Sequence, residues 1–190
     1  MSVQERRERQ RAQRHQLIID VARQLAESEG WEAVTTRRLA ERIEYSQPVL
    51  YSHFKGKDAI VEAVALEGFA ELAARLEDAR TGATGTHAAL AAVLRAYADF
   101  ATANPVLYDA MFARATTLAF GAPNTPEPLR AAFAALAAVF ADLAGDRDPE
   151  TFTEVAWSAL HGLITLNRDG RLRPDRQGQR LALLVAQLQR

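Results

Sequence analysis

The stretch TTRRLAERIEYSQPVLYSHFKGKDAI, Thr35–Ile60, contains two short helical patterns joined by about three residues. The first pattern places Leu39 and Ile43 on one side, after a threonine that can act as the N-cap. In the second pattern, Leu50 and Phe54 are four residues apart and therefore lie on the same side of a helix. Two short helices joined in this way indicate a helix-turn-helix.

A proline predicts where the second short helix begins. Pro48 lacks an amide hydrogen, which a helix tolerates in its first turn, and Ser46 occupies the preferred N-cap position. On a helical wheel Pro48 points away from the apolar side, Tyr51 lies on a flank and Gln47 belongs to the first turn. These side chains have no partner within the stretch.

Such a helix fits the major groove of DNA. The second helix of a helix-turn-helix places its N-terminal residues against base edges. Glutamine can form paired hydrogen bonds with adenine, and an apolar group such as a proline ring can contact a thymine methyl. Helix pairs of this kind also occur in helical proteins that bind no nucleic acid, so periodicity alone leaves both interpretations open.

The residues around this motif are more specific. TTRRLAERI followed by YSQPVLYSHFKGKDAI resembles the DNA-binding domain of TetR/AcrR-family transcriptional regulators, and QPVLYSHFKGK is especially similar to the tetracycline-repressor branch. The resemblance covers about residues 13–62 and includes Trp31 after Gly30. The chain has Glu44 where the family usually has a glycine in the turn. If that backbone is left-handed, a non-glycine residue costs about 1 kcal/mol.

The resemblance implies a set of residues that bind double-stranded DNA. These are Thr36, Arg37, Ser46, Gln47, Pro48, Tyr51, His53 and Lys57. Gln47, Pro48 and Tyr51 would approach bases or the adjoining sugar-phosphate, and Arg37 would reach a base edge or a phosphate. Thr36, His53 and Lys57 would hold phosphates, Lys57 beside the N-terminus of the next helix. Structural alternatives remain, because Thr36 can be only a cap, Tyr51 can pack inward and His53 can be a solvated surface histidine.

The charge distribution adds a second signal. The net charge of −1 does not indicate a nucleic-acid partner, but residues 1–14 carry five arginines against two glutamates. The apolar periodicity of the first helix is evident only from Leu17, so we expect the preceding segment to be a mobile arm that binds phosphates without reading sequence. A solvated arm with no partner is the alternative.

The composition excludes several classes of protein. There is no cysteine, which excludes disulfides and thiolate metal sites, and the four histidines are scattered instead of standing at metal-ligand spacing. No apolar segment is long enough to span a membrane, and the N-terminus lacks the apolar region of a secretory signal. No catalytic constellation is evident. We expect a cytoplasmic protein that is not an enzyme and has no cofactor, metal or membrane partner.

The rest of the chain is also helical in pattern, with few strand signals. TGATGT, Thr81–Thr86, is the clearest break. Helices are predicted over 86–103, from Pro105 to about Thr116, and over 129–144, 150–167 and 178–189. The sequence thus predicts an all-α protein, in which residues 1–60 form the N-terminal arm and a three-helix DNA-binding domain. A long fourth helix would link it to a helical-bundle dimerisation and effector domain over residues 61–190.

The segments WSALHGLITL (157–166) and YADFATANPVLYDAMF (97–112) resemble the WHG-type C-terminal domain found in part of the same family. The resemblance implies a homodimer and a pocket for an unknown small-molecule effector. The candidate effector-binding residues are Phe100, Tyr108, Met111, Phe112, Trp157 and His161. The candidate dimer residues are Val155, Ala159, Gly162, Leu163, Leu166, Leu181, Leu184, Val185 and Leu188. Alternatively, the aromatic residues are core, His161 is a satisfied core histidine, and both apolar faces pack within one monomer.

These observations predict a homodimeric repressor that binds a (pseudo)palindromic operator and is released by a small molecule. One alternative is a constitutive or architectural DNA-binding protein whose C-terminal domain only dimerises. The other is a helical ligand-binding or interaction protein whose helix-turn-helix no longer binds DNA.

Overall fold

The computed structural model describes residues 2–114 and 117–189, and within these ranges the chain is helical and contains no strand. The α-helices there are α1 (Val3–Glu29), α2 (Thr36–Arg42), α3 (Gln47–Tyr51), α4 (Lys57–Thr81), α5 (Thr86–Ala103), α6 (Pro105–Phe112), α7 (Glu127–Phe140), α8 (Pro149–Arg168) and α9 (Gln177–Leu188). Single 3-10 turns lie at Trp31–Ala33 and Ala141–Leu143. The all-α class predicted from the sequence is confirmed.

The helices form two compact units. The first unit consists of Met1–Gly68 and Pro105–Ala119, and the second consists of Phe69–Asn104 and Phe120–Arg190. Helix α4 therefore contributes its first turns to one unit and its last turns to the other. The sequence indicated a single boundary near residue 60, whereas the contacts group α6 with the N-terminal helices.

Two contacts explain why α6 belongs to the first unit. Gly68 lies so close to α6 that a Cβ at this position would be 2.7 Å from Met111 Sδ and 2.8 Å from Leu107 Cδ1. The indole N–H of Trp31 donates a hydrogen bond of 2.9 Å to the carbonyl oxygen of Val106. Both contacts join residues that are far apart in the sequence, so local patterns could not indicate them.

Helix α1 begins much earlier than the sequence predicted. Its N-cap is Ser2, whose hydroxyl oxygen accepts a hydrogen bond from the Glu5 amide at 3.1 Å. In return, the Glu5 carboxylate accepts one from the Ser2 amide at 2.8 Å, which completes a capping box. The following residues are rich in Gln, Glu and Arg, which favour helices. Residues 3–16, most of which belong to the segment that was expected to be a mobile arm, are therefore helical.

Helices α2 and α3 form the expected helix-turn-helix. The Thr35 hydroxyl caps α2 by accepting a hydrogen bond from the backbone amide three residues later. Leu39 and Leu50 have no exposed surface, so the two helices share a well-packed apolar side. Helix α3 begins at Gln47, and Ser46 is its N-cap residue although the Ser46 side chain makes no capping hydrogen bond.

The turn between α2 and α3 has a left-handed backbone at Glu44, with φ of 56°. The Tyr45 amide donates to the Ala40 carbonyl at 3.0 Å, and the Glu44 amide donates to the Glu41 carbonyl at 3.4 Å. This hydrogen-bond pattern is a Schellman motif, whose left-handed position is usually a glycine. The Cβ of Glu44 is therefore strained against its own backbone by about 1 kcal/mol.

The second unit is a helical bundle in which α5 contacts α7, α8 and α9. Its largest fully buried side chains are aromatic or aliphatic: Leu90, Tyr97, Phe100 and Phe140. The predicted end of α6, about Thr116, lies outside the described residues. In residues 2–114 and 117–189, no helix has both the length and the apolar character that crossing a bilayer requires.

We predict that Glu44→Gly raises the free energy of unfolding of the first unit by about 1 kcal/mol, because glycine has no Cβ to strain the left-handed turn. Denaturant unfolding followed by circular dichroism measures the difference. Glu44→Ala is the matched control, since it removes the carboxylate and keeps the Cβ, and it should produce no comparable gain. An equal gain from alanine would assign the effect to charge instead of backbone strain.

Candidate nucleic-acid interface and C-terminal polar cluster

One side of α3 carries polar and aromatic side chains that do not pack inward. Gln47 and Pro48 are exposed, and Tyr51 is 52% exposed. Leu50 and Phe54 on the other side are buried. Helix α3 is therefore held through its apolar side and presents the three predicted base-proximal residues to solvent.

Helix α2 adds polar groups beside this side of α3. The hydroxyl oxygens of Thr36 and Tyr51 are 3.4 Å apart. Since Thr35 is the N-cap of α2, the Thr36 hydroxyl is not used for capping. Arg37 is exposed and donates from Nε to the exposed Glu41 carboxylate at 2.9 Å. An exposed pair of this kind contributes little stability, so a phosphate can replace the carboxylate at small cost.

His53 lies just after α3 and is half-buried. The ring of His15 stacks on that of Phe54 at 4.3 Å and is 6.0 Å from the His53 ring. Burial lowers the pKa of His53, and repulsion from His15 adds to the effect. Arg11 and Arg14 act in the same direction. A phosphate beside His53 would oppose these effects, because an anion favours the charged imidazolium.

The two lysines that follow α3 differ in their surroundings. Lys57 is half-buried, and its ammonium donates a 2.6 Å hydrogen bond to the Trp31 carbonyl oxygen. This hydrogen bond connects the start of α4 to the 3-10 turn at Trp31–Ala33. Lys55 is exposed and has no hydrogen bond or ion pair with any of the described residues. The sequence interpretation selected Lys57 and missed Lys55, although its position before the N-terminus of α4 favours an anion.

An open cleft of about 470 Å³ adjoins Lys57. It is lined by Lys57, Asp58, Val61, Asp109, Ala113 and Arg114. Arg114 pairs with Asp109 at 3.3 Å and with Glu32 at 3.2 Å. The positive charge of Arg114 is therefore partly neutralised by acidic residues. A phosphate would bind less favourably in this cleft than on the surface beside α3.

In the second unit, Trp157 and His161 belong to a hydrogen-bonded cluster around Tyr97. The Trp157 indole donates to the Tyr97 hydroxyl at 3.0 Å, and that hydroxyl is 3.2 Å from His161 Nδ1. His161 Nε2 is 3.3 Å from the Thr165 hydroxyl. Because Trp157 donates to the Tyr97 oxygen, the Tyr97 hydroxyl can donate its own hydrogen bond to His161 Nδ1. The neutral imidazole then carries its proton on Nε2. Every group is then satisfied with the imidazole neutral.

The pKa of His161 is consistent with this neutral state. Burial lowers it, and the positive charge of Arg168 adds to the effect. The cluster therefore matches the satisfied core histidine that the sequence left as an alternative to an effector ligand. Among the residues that the structure describes, no three histidine, aspartate or glutamate side chains are grouped so that they could hold a metal ion.

The candidate effector-binding residues do not all belong to one compact unit. Those of the second unit are Phe100, Trp157 and His161, and those of the first unit are Tyr108, Met111 and Phe112. Phe100 is fully buried, with the Arg75 guanidinium carbon 5.4 Å from the centre of its ring. The rings of Tyr108 and Phe112 are 4.7 Å apart. These aromatic side chains contribute to the packing of their own units.

The candidate dimer residues differ in exposure. Leu184 and Val185 are buried within the second unit, because this side of α9 is the packed side. Val155 is 62% exposed and Leu166 is 46% exposed. Of the others, Ala159 is exposed and Gly162, Leu163, Leu181 and Leu188 are half-buried. Leu183 is 60% exposed and was missed, since it lies outside the apolar face that the periodicity selected.

Two family models match the chain. Residues 18–64 match the model described as bacterial regulatory proteins, tetR family. Residues 90–188 match the model described as tetracyclin repressor-like, C-terminal domain. The chain belongs to the TetR family. The resemblance that the sequence motifs indicated is thereby confirmed, and the helix-turn-helix lies inside the first matched segment.

Several known proteins are similar to part or most of this chain. An uncharacterized HTH-type transcriptional regulator from Bacillus subtilis, YobS, is 34% identical over 94 residues, which cover 50% of this chain and 49% of YobS. Tetracycline repressor protein class C from Escherichia coli is 50% identical over 48 residues, covering 25% of this chain and 22% of the repressor. The chain therefore matches about half of the length of YobS and less than a quarter of the length of the tetracycline repressor. A solved structure of a protein with unknown function from Rhodococcus sp. RHA1 has a TM-score of 0.75 at 25% identity and covers 92% of this chain and 93% of its own.

We predict that the second unit loses stability as the pH falls below about 6.5, the pKa of an unperturbed histidine. The folded pKa of His161 is lowered, so the unfolded chain takes up a proton there before the folded chain does. Unfolding free energies at pH 7.5 and 5.5 should differ less in His161→Gln than in the wild type. His87→Gln, at an exposed position, is the control and should keep the wild-type difference. An unchanged difference in His161→Gln would contradict the assignment to this residue.

Proposed function

We propose that this TetR-family protein is a homodimeric repressor whose α3 enters the major groove of a (pseudo)palindromic operator. The observation that carries the proposal is the exposed side of α3, where Gln47, Pro48 and Tyr51 project from a helix anchored by the buried Leu50. The relative named as a tetracycline repressor, which matches over 48 residues, supports the same activity. The proposed activity is binding and involves no catalytic step.

Gln47 and Pro48 are proposed to read bases, because they lie in the first turn of α3, the part of a recognition helix that reaches base edges. The amide of Gln47 suits adenine and the ring of Pro48 suits a thymine methyl. Tyr51 and Thr36, whose hydroxyls are near each other, would contact the adjoining sugar and phosphate. Ser46 would lie at the same edge, and Arg37 would exchange Glu41 for a base edge or a phosphate.

His53 and Lys55 are proposed to hold phosphates at the other end of α3. Lys55 is exposed and precedes the N-terminus of α4, where backbone amides also favour an anion. Lys57 was expected to contact a phosphate itself, but its ammonium is bound to the Trp31 carbonyl. We propose that Lys57 acts on the phosphate site chiefly by positioning the start of α4.

Replacing base-reading and phosphate-binding residues should have different consequences. Gln47→Ala should cost about 1–3 kcal/mol at one base pair and relax the preference there. Lys55→Gln should weaken binding to all DNA alike and reduce the slope of log affinity against log salt by about one. Affinities for operator and scrambled DNA across a salt series measure both effects.

The control for lost charge is Arg171→Gln, which removes an exposed positive charge from the second unit. It should change neither affinity nor slope. Circular dichroism confirms that each variant is folded. If Gln47→Ala and Lys55→Gln reduced operator preference equally, the proposed position of α3 in the groove would be wrong.

We propose that two copies associate through α8 and α9. Val155, Ala159, Gly162 and Leu166 recur at intervals of three or four residues, so they form one stripe along α8. Apart from its chain neighbours and the adjoining backbone of α8, none of the described atoms would lie within 4 Å of a Cβ placed on Gly162. Leu183 adds an exposed apolar side chain on α9. A helix of a second copy would cover this stripe in a two-fold arrangement, and the glycine would permit close approach.

Substitutions on the stripe should separate dimerisation from folding. Val155→Glu and Leu183→Glu should convert the dimer to a monomer in sedimentation, because each would bury a carboxylate at the interface. Ala138→Glu, at an exposed position of α7, should leave the dimer intact. Gly162→Ala should increase helix stability by about 1 kcal/mol and weaken the dimer, because the new methyl group opposes close approach. A monomeric wild type would overturn the proposal.

We propose from the family resemblance that a small-molecule effector releases the protein from DNA. Phe100, Trp157 and His161 of the second unit would then line the effector site. The satisfied hydrogen bonds of the cluster around Tyr97 favour a second candidate, a constitutive DNA-binding protein whose second unit only dimerises. A compound that weakens operator binding of the wild type but not of Trp157→Ala would favour release by an effector.

A further inference from the structure

Helix α1 extends for about four turns before its first buried residue. The helix begins at Val3, whereas the first buried side chain is that of Ile18. Residues 2–14 are all exposed, so this extension is not needed to fill the core. Its start is nevertheless defined by the Ser2 and Glu5 capping box. We call residues 3–16 the α1 extension.

The arginines of the α1 extension lie on two different sides. A regular α-helix turns about 100° per residue. Arg7 and Arg11 therefore lie on the same side as Ile18, which faces the core of the first unit. Arg9 lies on the opposite side, and Arg6 lies about 120° around the helix from Ile18, outside the core-facing side. The five arginines of the α1 extension are thus divided by the helix into two groups.

Contacts at the base of the α1 extension show what its core-facing side adjoins. The guanidinium carbon of Arg14 lies 5.9 Å from the centre of the Tyr45 ring, in the turn of the helix-turn-helix. His15 stacks on Phe54 and lies 6.0 Å from His53, just after α3. This side of the extension therefore continues from the end of α3 where the phosphate contacts are proposed.

Arg7 and Arg11 are available to an anion. Neither has a hydrogen bond or an ion pair with any side chain in the described part of the chain. Arg11 is close enough to His53 to help lower the pKa of that imidazole. Glu8, which lies between these two arginines in the sequence, accepts a 2.8 Å hydrogen bond from the Gln4 amide nitrogen.

We propose that Arg7, Arg11 and Arg14 form a basic ridge that binds the phosphate backbone of DNA outside the bases read by α3. This inference rests on the proposed function and deepens it. Arg7 and Arg14 are about 10 Å apart along the helix axis, so the ridge is long enough to contact more than one phosphate. Guanidinium groups suit phosphate oxygens because they donate two parallel hydrogen bonds. A preformed helix also loses less conformational freedom on binding than a flexible arm would.

Two charge-matched double variants test the ridge in the full-length protein. Arg7→Gln/Arg11→Gln removes two charges from the ridge, and Arg6→Gln/Arg9→Gln removes two charges of the α1 extension that lie outside the ridge. The first should reduce the salt slope of DNA binding by about 1–2. The second should reduce it by less than half as much. Operator preference over scrambled DNA should be unchanged in both variants, because phosphates carry no sequence information.

A third variant tests whether the helix itself matters. Ala12→Pro keeps every charge and interrupts α1 between Arg11 and Arg14. It should weaken DNA binding toward the level of Arg7→Gln/Arg11→Gln, whereas a flexible arm would tolerate it. Circular dichroism and thermal unfolding verify that the rest of each variant remains folded.

The outcomes separate this inference from the proposed function. Equal losses of DNA affinity and salt slope in the two double variants would mean that only the net charge of the α1 extension matters. This result would overturn the proposal of a basic ridge. Unchanged affinity in Arg7→Gln/Arg11→Gln, with a wild type that binds the operator, would also overturn the ridge and leave the proposed function intact. A wild type that binds no DNA would overturn both.

Discussion

The first unit depends on the environment of Trp31. Its side chain is almost fully buried, and its indole N–H donates to the Val106 carbonyl in α6. Its own carbonyl oxygen accepts the hydrogen bond from Lys57 at the start of α4, and the Arg114 guanidinium lies 5.6 Å from the centre of its ring. One residue thus links the 3-10 turn before α2 to the helix that follows α3. The position of the recognition helix relative to the rest of this unit depends on these bonds.

Much of the helix-turn-helix could be predicted because its signals are local. Pro48 indicated where α3 begins, and Leu39 and Leu50 indicated the packed side. The family usually has a glycine where this chain has Glu44, which indicated strain if the backbone there were left-handed. The positive φ of Glu44 shows that it is left-handed. These features depend on neighbours within a few residues, which a sequence displays directly.

Other features could not be predicted because they depend on distant partners. The hydrogen bond from Lys57 to the Trp31 carbonyl is one of them, because nothing local indicates that this carbonyl lies within reach of the ammonium. The two sides of α9 are both partly apolar, and only the packing of the second unit decides that Leu184 is buried and Leu183 is exposed. The early start of α1 is different, because Ser2 and Glu5 have the spacing of a capping box and the signal was present in the sequence.

The placement of the two tryptophans has a practical consequence. The chain contains two tryptophans, Trp31 in the first unit and Trp157 in the second. Replacing either one with phenylalanine would leave a single intrinsic fluorophore, so emission would report on one unit at a time. Trp157 is also hydrogen-bonded to the Tyr97 hydroxyl, which in turn contacts His161, so its emission should respond to the protonation of that imidazole. The molecule therefore carries a separate optical probe in each of its two parts.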